Sequence, residues 1–284
     1  MADLIPANDV GPVAKDAGVK RRRLRTWINR LTWAFIILAP LVFAIAAIGY
    51  KLGLFDLSFS FGTLNQKLGP LVLILCGVLG LASLVSAFIV TPRKGIVPGV
   101  LGVLIMAGAF AKLISTNKAV YEDLPFIHDV TTDTQDPPVF GDVVSAERAA
   151  VEGVNGDDYI GKMALIFEDG KPVEEELVSV LQIKAFPKIR PLVVGDSKEV
   201  VFGEALATAK SMGWKIKEED LASGRIDATD TTFWYGFDDD ITIRLRESEG
   251  GGTIVDVRSL SRVGGSDLGK NAQRVGAFLE KLGS

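Results

Sequence analysis

Residues 31–50 hold twenty positions without a charge, residues 68–90 hold twenty-three, and residues 95–111 hold seventeen before Lys112. No other feature constrains the fold as strongly. A helix rises about 1.5 Å per residue, so roughly 20 apolar residues cross a hydrocarbon layer of about 30 Å. The first two runs reach that length directly. The third reaches it when extended to Ile114, with Lys112 snorkelling to the interface. Three transmembrane helices are therefore expected within 31–114. Pro40, Pro70 and Pro98 lie in or near these runs, which membrane helices tolerate where neighbours re-satisfy the freed carbonyls. A cleaved signal peptide ending near Ala44-Ile45-Ala46 is the competing reading of the first run. Twenty apolar residues exceed the usual h-region of about 7–15 and favour an uncleaved anchor.

Charge divides along the same line. Net charge is +4 over 1–30, +5 over 31–118 and −13 over 119–284. Lys20, Arg21, Arg22, Arg23, Arg25 and Arg30 precede the first run, and Arg93 and Lys94 join the second to the third. Lys51, Lys67, Lys112 and Lys118 occupy the other side. The basic excess predicts a cytoplasmic N-terminus. Three crossings then place the acidic C-terminal part outside the cytoplasm. The expected division is a basic cytoplasmic segment over 1–30, a three-helix membrane region over 31–114, an extended arm over 115–140, and a soluble α+β domain over 141–284.

The loop at 51–67 alternates Leu57, Phe59 and Phe61 with serines. It reads equally as an interfacial amphipathic segment or an ordinary hairpin loop. In the third run Gly95, Gly99 and Gly102 form a small-residue face. Such faces let helix backbones approach closely, and packing within the chain is the first expectation. A contact with another membrane protein is the sharper alternative. Cys76 lies mid-run as the one cysteine, and reads as a small buried hydrophobe.

Prolines and a Thr/Asp cluster keep 119–140 from being helical. Its Phe126, Ile127, Val130, Val139 and Phe140 suit an arm packed on the domain. His128, the single histidine, has no second His or Cys to complete a zinc site. Beyond the arm, Met163 to Glu168 reads as a strand before an Asp169-Gly170 turn. Pro172 at a first helical position, followed by Glu174 to Glu176, predicts a helix to Phe186. A further helix is expected to end at Met212. Residues 189–194 read as a strand, period-two alternation marks further strands over 214–217, 225–232, 241–247 and 253–259, and Asp238-Asp239-Asp240 reads as a turn. The alternation predicts an antiparallel sheet with one solvated face and helices packed on the other. An amphipathic helix closes the chain over 267–282, with Ser266 as its cap.

Arg244, Arg246 and Arg258 are expected to project from the solvated face. With Arg262, Ser266, Asp267 and Asn271 they form the best binding candidate, an anion site at a helix start. Pairing with Asp227 and Asp256 is the stronger expectation, as opposite charges recur at period two. Phe233-Trp234-Tyr235 and Phe237 are expected to leave one exposed apolar strip.

Several stretches carry a resemblance. They are Gln-Ile-Lys-Ala-Phe-Pro-Lys-Ile-Arg-Pro-Leu at 182–192, the segments 224–237 and 239–244, and above all Val-Asp-Val-Arg-Ser-Leu-Ser-Arg-Val-Gly-Gly-Ser-Asp-Leu-Gly-Lys-Asn-Ala-Gln-Arg at 255–274. Over about 124–282 the chain resembles the bacterial domain-of-unknown-function family 1499, in a membrane-anchored form. The resemblance implies an envelope protein and carries no established activity. Some members hold a cysteine pair in the arm; this chain has none there, so no thiol role transfers.

No P-loop, dinucleotide fingerprint or nucleophile elbow is present. The acidic C-terminal part disfavours nucleic acid. No cofactor, metal or catalytic residue is expected. The expected function is a non-catalytic membrane protein contacting lipids and an envelope protein partner, as accessory subunit or assembly factor. The alternative is a small-ligand or lipid-binding module with a groove between sheet and helices, and a carboxylate hydrolase ranks third.

Overall fold

A computed structural model describes residues 12–284, so the first eleven positions of the basic segment expected over 1–30 lie outside the described residues. The chain divides into two compact units, Met1–Ile114 and Ser115–Ser284.

The first unit contains α1 (Pro12–Lys51), α2 (Gly69–Ile89) and most of α3 (Ile96–Lys118). Three helical stretches, Asp16–Lys51, Ser58–Ile89 and Ile96–Asp123, are long and apolar enough to cross a membrane. The burial pattern inverts that of a water-soluble bundle. Cys76, Gly77, Gly80, Ser83 and Ala87 are buried on α2, while Leu71, Val78 and Phe88 point outward. Small residues inside let backbones approach, and large apolar ones outside suit a lipid solvent. The loop expected over 51–67 is a correction: Ser58–Leu68 is π-wound and runs into α2. Asp56 starts it, its Oδ1 accepting from the Phe59 amide at 2.7 Å.

Gly99 and Gly102 of α3 face inward to the same chain. A β-carbon on Gly80 of α2 would lie 2.9 Å from the Gly99 carbonyl, and one on Gly102 would lie 2.8 Å from the Cys76 carbonyl. Gly95 adopts φ 113° beside Asn29 and Ser83. Thr32 Oγ1 sits 2.8 Å from Ile28 O and 3.1 Å from Leu79 O, tying α1 to α2. Arg25 is buried and donates to Val90 O at 2.8 Å and to Pro92 O. A cation there answers the open carbonyls at the end of α2.

The second unit is a mixed helix and sheet domain. Its main sheet is antiparallel, in the order β1 (Asp129–Thr131), β8 (Thr253–Ser261), β7 (Asp238–Glu247), β6 (Arg225–Thr231), β5 (Lys215–Asp220). The outer edge of β8 is shared. β1 pairs with its residues 258–260, and β4 (Leu192–Val194) with its residues 253–255. Ile226, Ala228, Ile241, Ile243, Val255 and Val257 face α6 (Lys198–Ser211) and α7 (Lys270–Leu282), which supply Val201, Ala205, Val275 and Phe278. Full burial of a side chain such as Phe278 is worth about 1.5–3 kcal/mol.

The arm expected over 115–140 needs correction in its first part, because α3 continues to Lys118 and Ala119–Asp123 is helical; further on, β1 is a strand of the sheet. Three other expectations need correction. Residues 171–177 form a strand, not helix: β2 (Met163–Glu168) and β3 (Lys171–Leu177) make a hairpin, and only Val178–Ala185 is helical, as α5. Asp169 and Gly170 take φ 50° and 72°, the left-handed pair that a two-residue hairpin turn requires. That turn dictates a returning strand whatever the helical spacing downstream. Asp238, Asp239 and Asp240 open β7 instead of forming a turn. The polar sheet face is not solvated, because the arm and α4 (Asp142–Ala149) cover it.

Candidate functional site

The strand register gathers the polar residues on that covered face. Asp227 pairs with Thr242, Thr242 with Arg258, and Arg244 with Asp256. Residues 132–141 cross above them. The Gly141 amide donates to Asp227 Oδ2 at 2.9 Å, and a β-carbon on Gly141 would lie 2.6 Å from that oxygen. Glycine alone permits this approach.

Arg258 is held at the centre. Its Nε donates to Asp129 Oδ1 at 2.9 Å and its Nη2 to Asp129 Oδ2 at 2.8 Å, with Lys162 Nζ 2.8 Å from the same oxygen. The guanidinium lies 5.3 Å from the Phe140 ring and 5.7 Å from the Tyr159 ring. Burial pushes the Asp129 carboxyl up, but Arg258 and then Lys162 outweigh it and hold it below the usual range. Arg262 donates to both Asp240 oxygens at 2.8 and 2.7 Å and to Glu147 Oε2 at 2.8 Å. Arg148 reaches Asp240 at 2.9 Å, and Lys217 reaches Glu147 at 2.6 Å. α4 is thereby clamped to the sheet. Hydrogen bonding to Asp240 above all raises the Arg262 pKa. Hydrogen bonding from Lys217 is the largest influence lowering Glu147. Arg244 donates from Nε and Nη2 to Asp256 at 3.1 and 3.0 Å and from Nη1 to Asp136 at 2.9 Å. Arg246 also donates to Asp256, at 2.9 Å.

Ser266, Asp267 and Asn271 belong to the opposite face, at the start of α7. Ser266 is not the cap of this helix: Gly269 is the N-cap residue, and Asp267, two positions earlier, supplies the oxygens that meet the first amides. Asp267 Oδ2 accepts from the Asn271 amide at 2.7 Å and its Oδ1 from the Gly269 amide at 2.8 Å. The carboxylate holds the position an anion would take at a helix N-terminus. Burial pushes the Asp267 carboxyl up to about 6. Asn271 Nδ2 donates to His128 O at 2.9 Å, fixing the arm, and Ser259 Oγ donates to Asn271 Oδ1 at 2.7 Å. His128 Nδ1 lies 3.2 Å from Gly265 O and must carry the proton to bond there.

The structure thus splits the six binding candidates between two faces. Each of Arg244, Arg258 and Arg262 is engaged by carboxylates. Sequence reasoning missed Asp129, Glu147, Arg148, Gln182 and Arg274. Gln182 is 1 % exposed and bonds β1 as a strand would, donating to Thr131 O at 2.7 Å and accepting from its amide at 2.9 Å. Arg274 Nε donates to Asp230 at 2.9 Å and Nη2 to Asp239 at 2.7 Å. Only Asp129 lies on a strand, where an acid among buried apolar neighbours was a signal; Glu147, Arg148, Gln182 and Arg274 lie on helices and left none in the strand pattern. Among the described residues no three His, Cys, Asp or Glu side chains converge as a metal site would need. The aromatic run is a turn between β6 and β7, not an alternating strand. Phe233 and Trp234 are exposed, and Tyr235 stacks on Phe237 at 5.1 Å. Arginine–carboxylate sets as dense as these hold segments in place, and they leave these three guanidiniums committed to internal partners.

A family model described as a protein of unknown function (DUF1499) matches residues 129–282. No curated protein matches the chain.

Proposed function

The chain belongs to the DUF1499 family, and from that premise we propose that it is a non-catalytic inner-membrane protein whose periplasmic domain binds a protein partner, as accessory subunit or assembly factor of a membrane complex. The observation that carries this reading is an apolar strip on the β3–α5 region. Met163 and Leu177, paired across the hairpin, and Val180 and Ile183 on α5 are 36–50 % exposed. Glu174, Glu175 and Glu176 flank the strip along β3. Apolar side chains rimmed by charge have the anatomy of a protein interface. The net charge of −13 over 119–284 favours a basic partner surface.

The committed arginines support the non-catalytic part, since they hold the arm and α4. Arg25 supports the orientation: its bonds to Val90 and Pro92 bring the basic entry of α1 to the same end of the bundle as Arg93 and Lys94. The test is photo-crosslinking in native membranes from position 183 of the full-length protein. A discrete protein adduct is expected, lost when Val180→Glu is added. A clean monomer without adduct overturns the reading.

A further inference from the structure

We propose that a recess along α1 binds the phosphate headgroup of an anionic bilayer lipid. The recess has a volume of about 500 Å³ and is lined by Val19, Arg22, Arg23, Thr26, Trp27 and Arg30. These positions recur at three and four residues, so one helix face carries all of them. All six are exposed. Arg22, Arg23 and Arg30 have no ion-pair partner among the described residues, and the nearby acid Asp16 is 3.1 Å from Lys20. The Arg30 guanidinium lies 5.5 Å from the centre of the Trp27 ring, a platform that orients it. Thr26 Oγ1 donates to Arg22 O at 2.9 Å and is spent within the helix. What remains free is donors, the guanidinium and indole N–H groups, as an oxyanion such as a phosphodiester requires.

The rest of α1 identifies the bilayer as the source. Arg25, on the other side of the helix, is buried and donates to Val90 O at 2.8 Å and to Pro92 O, which turns the recess away from the bundle. Arg30 immediately precedes the uncharged run 31–50 and so stands at the edge of the hydrocarbon. Arg23 is about 10 Å further out at about 1.5 Å per residue. The recess therefore spans a headgroup layer of about 5–8 Å. Below it the same face continues with Trp33, Ile37 and Leu41, all exposed and each one helical turn from the next. Leu41 is about 16 Å from Arg30 along the axis, close to the depth of one hydrocarbon leaflet, about 15 Å. A lipid seated on this face has its phosphate among arginines and its chain on apolar side chains. A soluble phosphate or a nucleic acid uses only the first. The inference rests on the reading of α1 as a membrane anchor. It needs neither the protein partner nor a choice of which side the N-terminus faces.

The test takes full-length protein from vesicles of equal phosphatidylglycerol and phosphatidylcholine into mild detergent and counts the lipid retained per chain by native mass spectrometry. Phosphatidylglycerol is expected to be retained over phosphatidylcholine. Arg23→Gln is expected to lower that retention about fivefold. Arg21→Gln removes the same charge one turn from Arg25, outside the recess, and is expected to leave retention unchanged. Unaltered melting temperatures identify both variants as folded. An equal fall in both variants reveals diffuse attraction to a basic segment and overturns the proposal. So does equal retention of the two lipids, and so does displacement by soluble glycerol phosphate or RNA, which makes the ligand a water-soluble anion. Extraction of the protein from the vesicles by alkaline carbonate marks failure of the anchor reading itself, and the proposal falls with it.

Discussion

Arg258 and Asp267 carry opposite electrostatic consequences of burial. Arg258 is 2 % exposed and Asp129 fully buried, so deleting the cation strands a carboxylate without its main partner. Arg258→Met is expected to cost about 3–5 kcal/mol, measured by chemical denaturation of the detergent-solubilised chain. The double variant with Asp129→Leu is expected to recover most of that loss, because it removes the stranded charge. Asp267 works the other way. Its carboxyl is raised to about 6 from 3.8, so between those values the folded state binds more protons than the unfolded state. Its contribution is therefore fully present at low pH and declines as pH rises from about 4 to 6. Asp267→Asn keeps a capping oxygen and removes the charge. It is expected to flatten that part of the stability–pH curve, and an unchanged slope in thermal melts from pH 4 to 7 contradicts the assignment.

Elements were legible where one local rule acted alone. The three apolar runs became helices, Met163 to Glu168 became β2, and β6 and β8 fell where period two placed them, as did β7 from Ile241 onward. Two rules competed at 171–177. Val173, Leu177, Val180 and Leu181 have helical spacing, yet the Asp169-Gly170 turn demands a second strand, and the turn won. The covered polar face was illegible for a different reason. Asp227, Asp240, Asp256 and Arg258 alternate as solvent-facing residues do. Only the return of residues 129–149 across the sheet buries them, and no local pattern encodes that return. The anion-site candidates failed to converge for the same reason: their distribution over two faces depends on where β8 ends and α7 begins. Gln182 tests the account of the arm. Gln182→Leu leaves Thr131 without either side-chain partner, a loss of about 1–3 kcal/mol. Faster hydrogen exchange is expected at the Thr131 amide, with the β7 amides unchanged. Exchange rising equally in both would show global loosening instead.

For the whole molecule, the proposed orientation rests on which side of the bilayer receives Ser284. A reporter that needs export for activity, fused after Ser284, is expected to be active. Activity only in a cytoplasmic reporter reverses the orientation and removes the periplasmic partner from consideration. The shared edge of β8 has a mechanical consequence. Only residues 124–128 separate the last helical turn, which ends at Asp123, from β1. Tension arriving along that short connector meets first the bonds that hold Ile127 and His128 to Asp267, Ser261 and Asn271, and then the three β1–β8 backbone pairs and the Asp129–Arg258 clasp. β4 holds the other half of the edge separately, so the first strand can peel away under strain while the rest of the sheet keeps its edge closed.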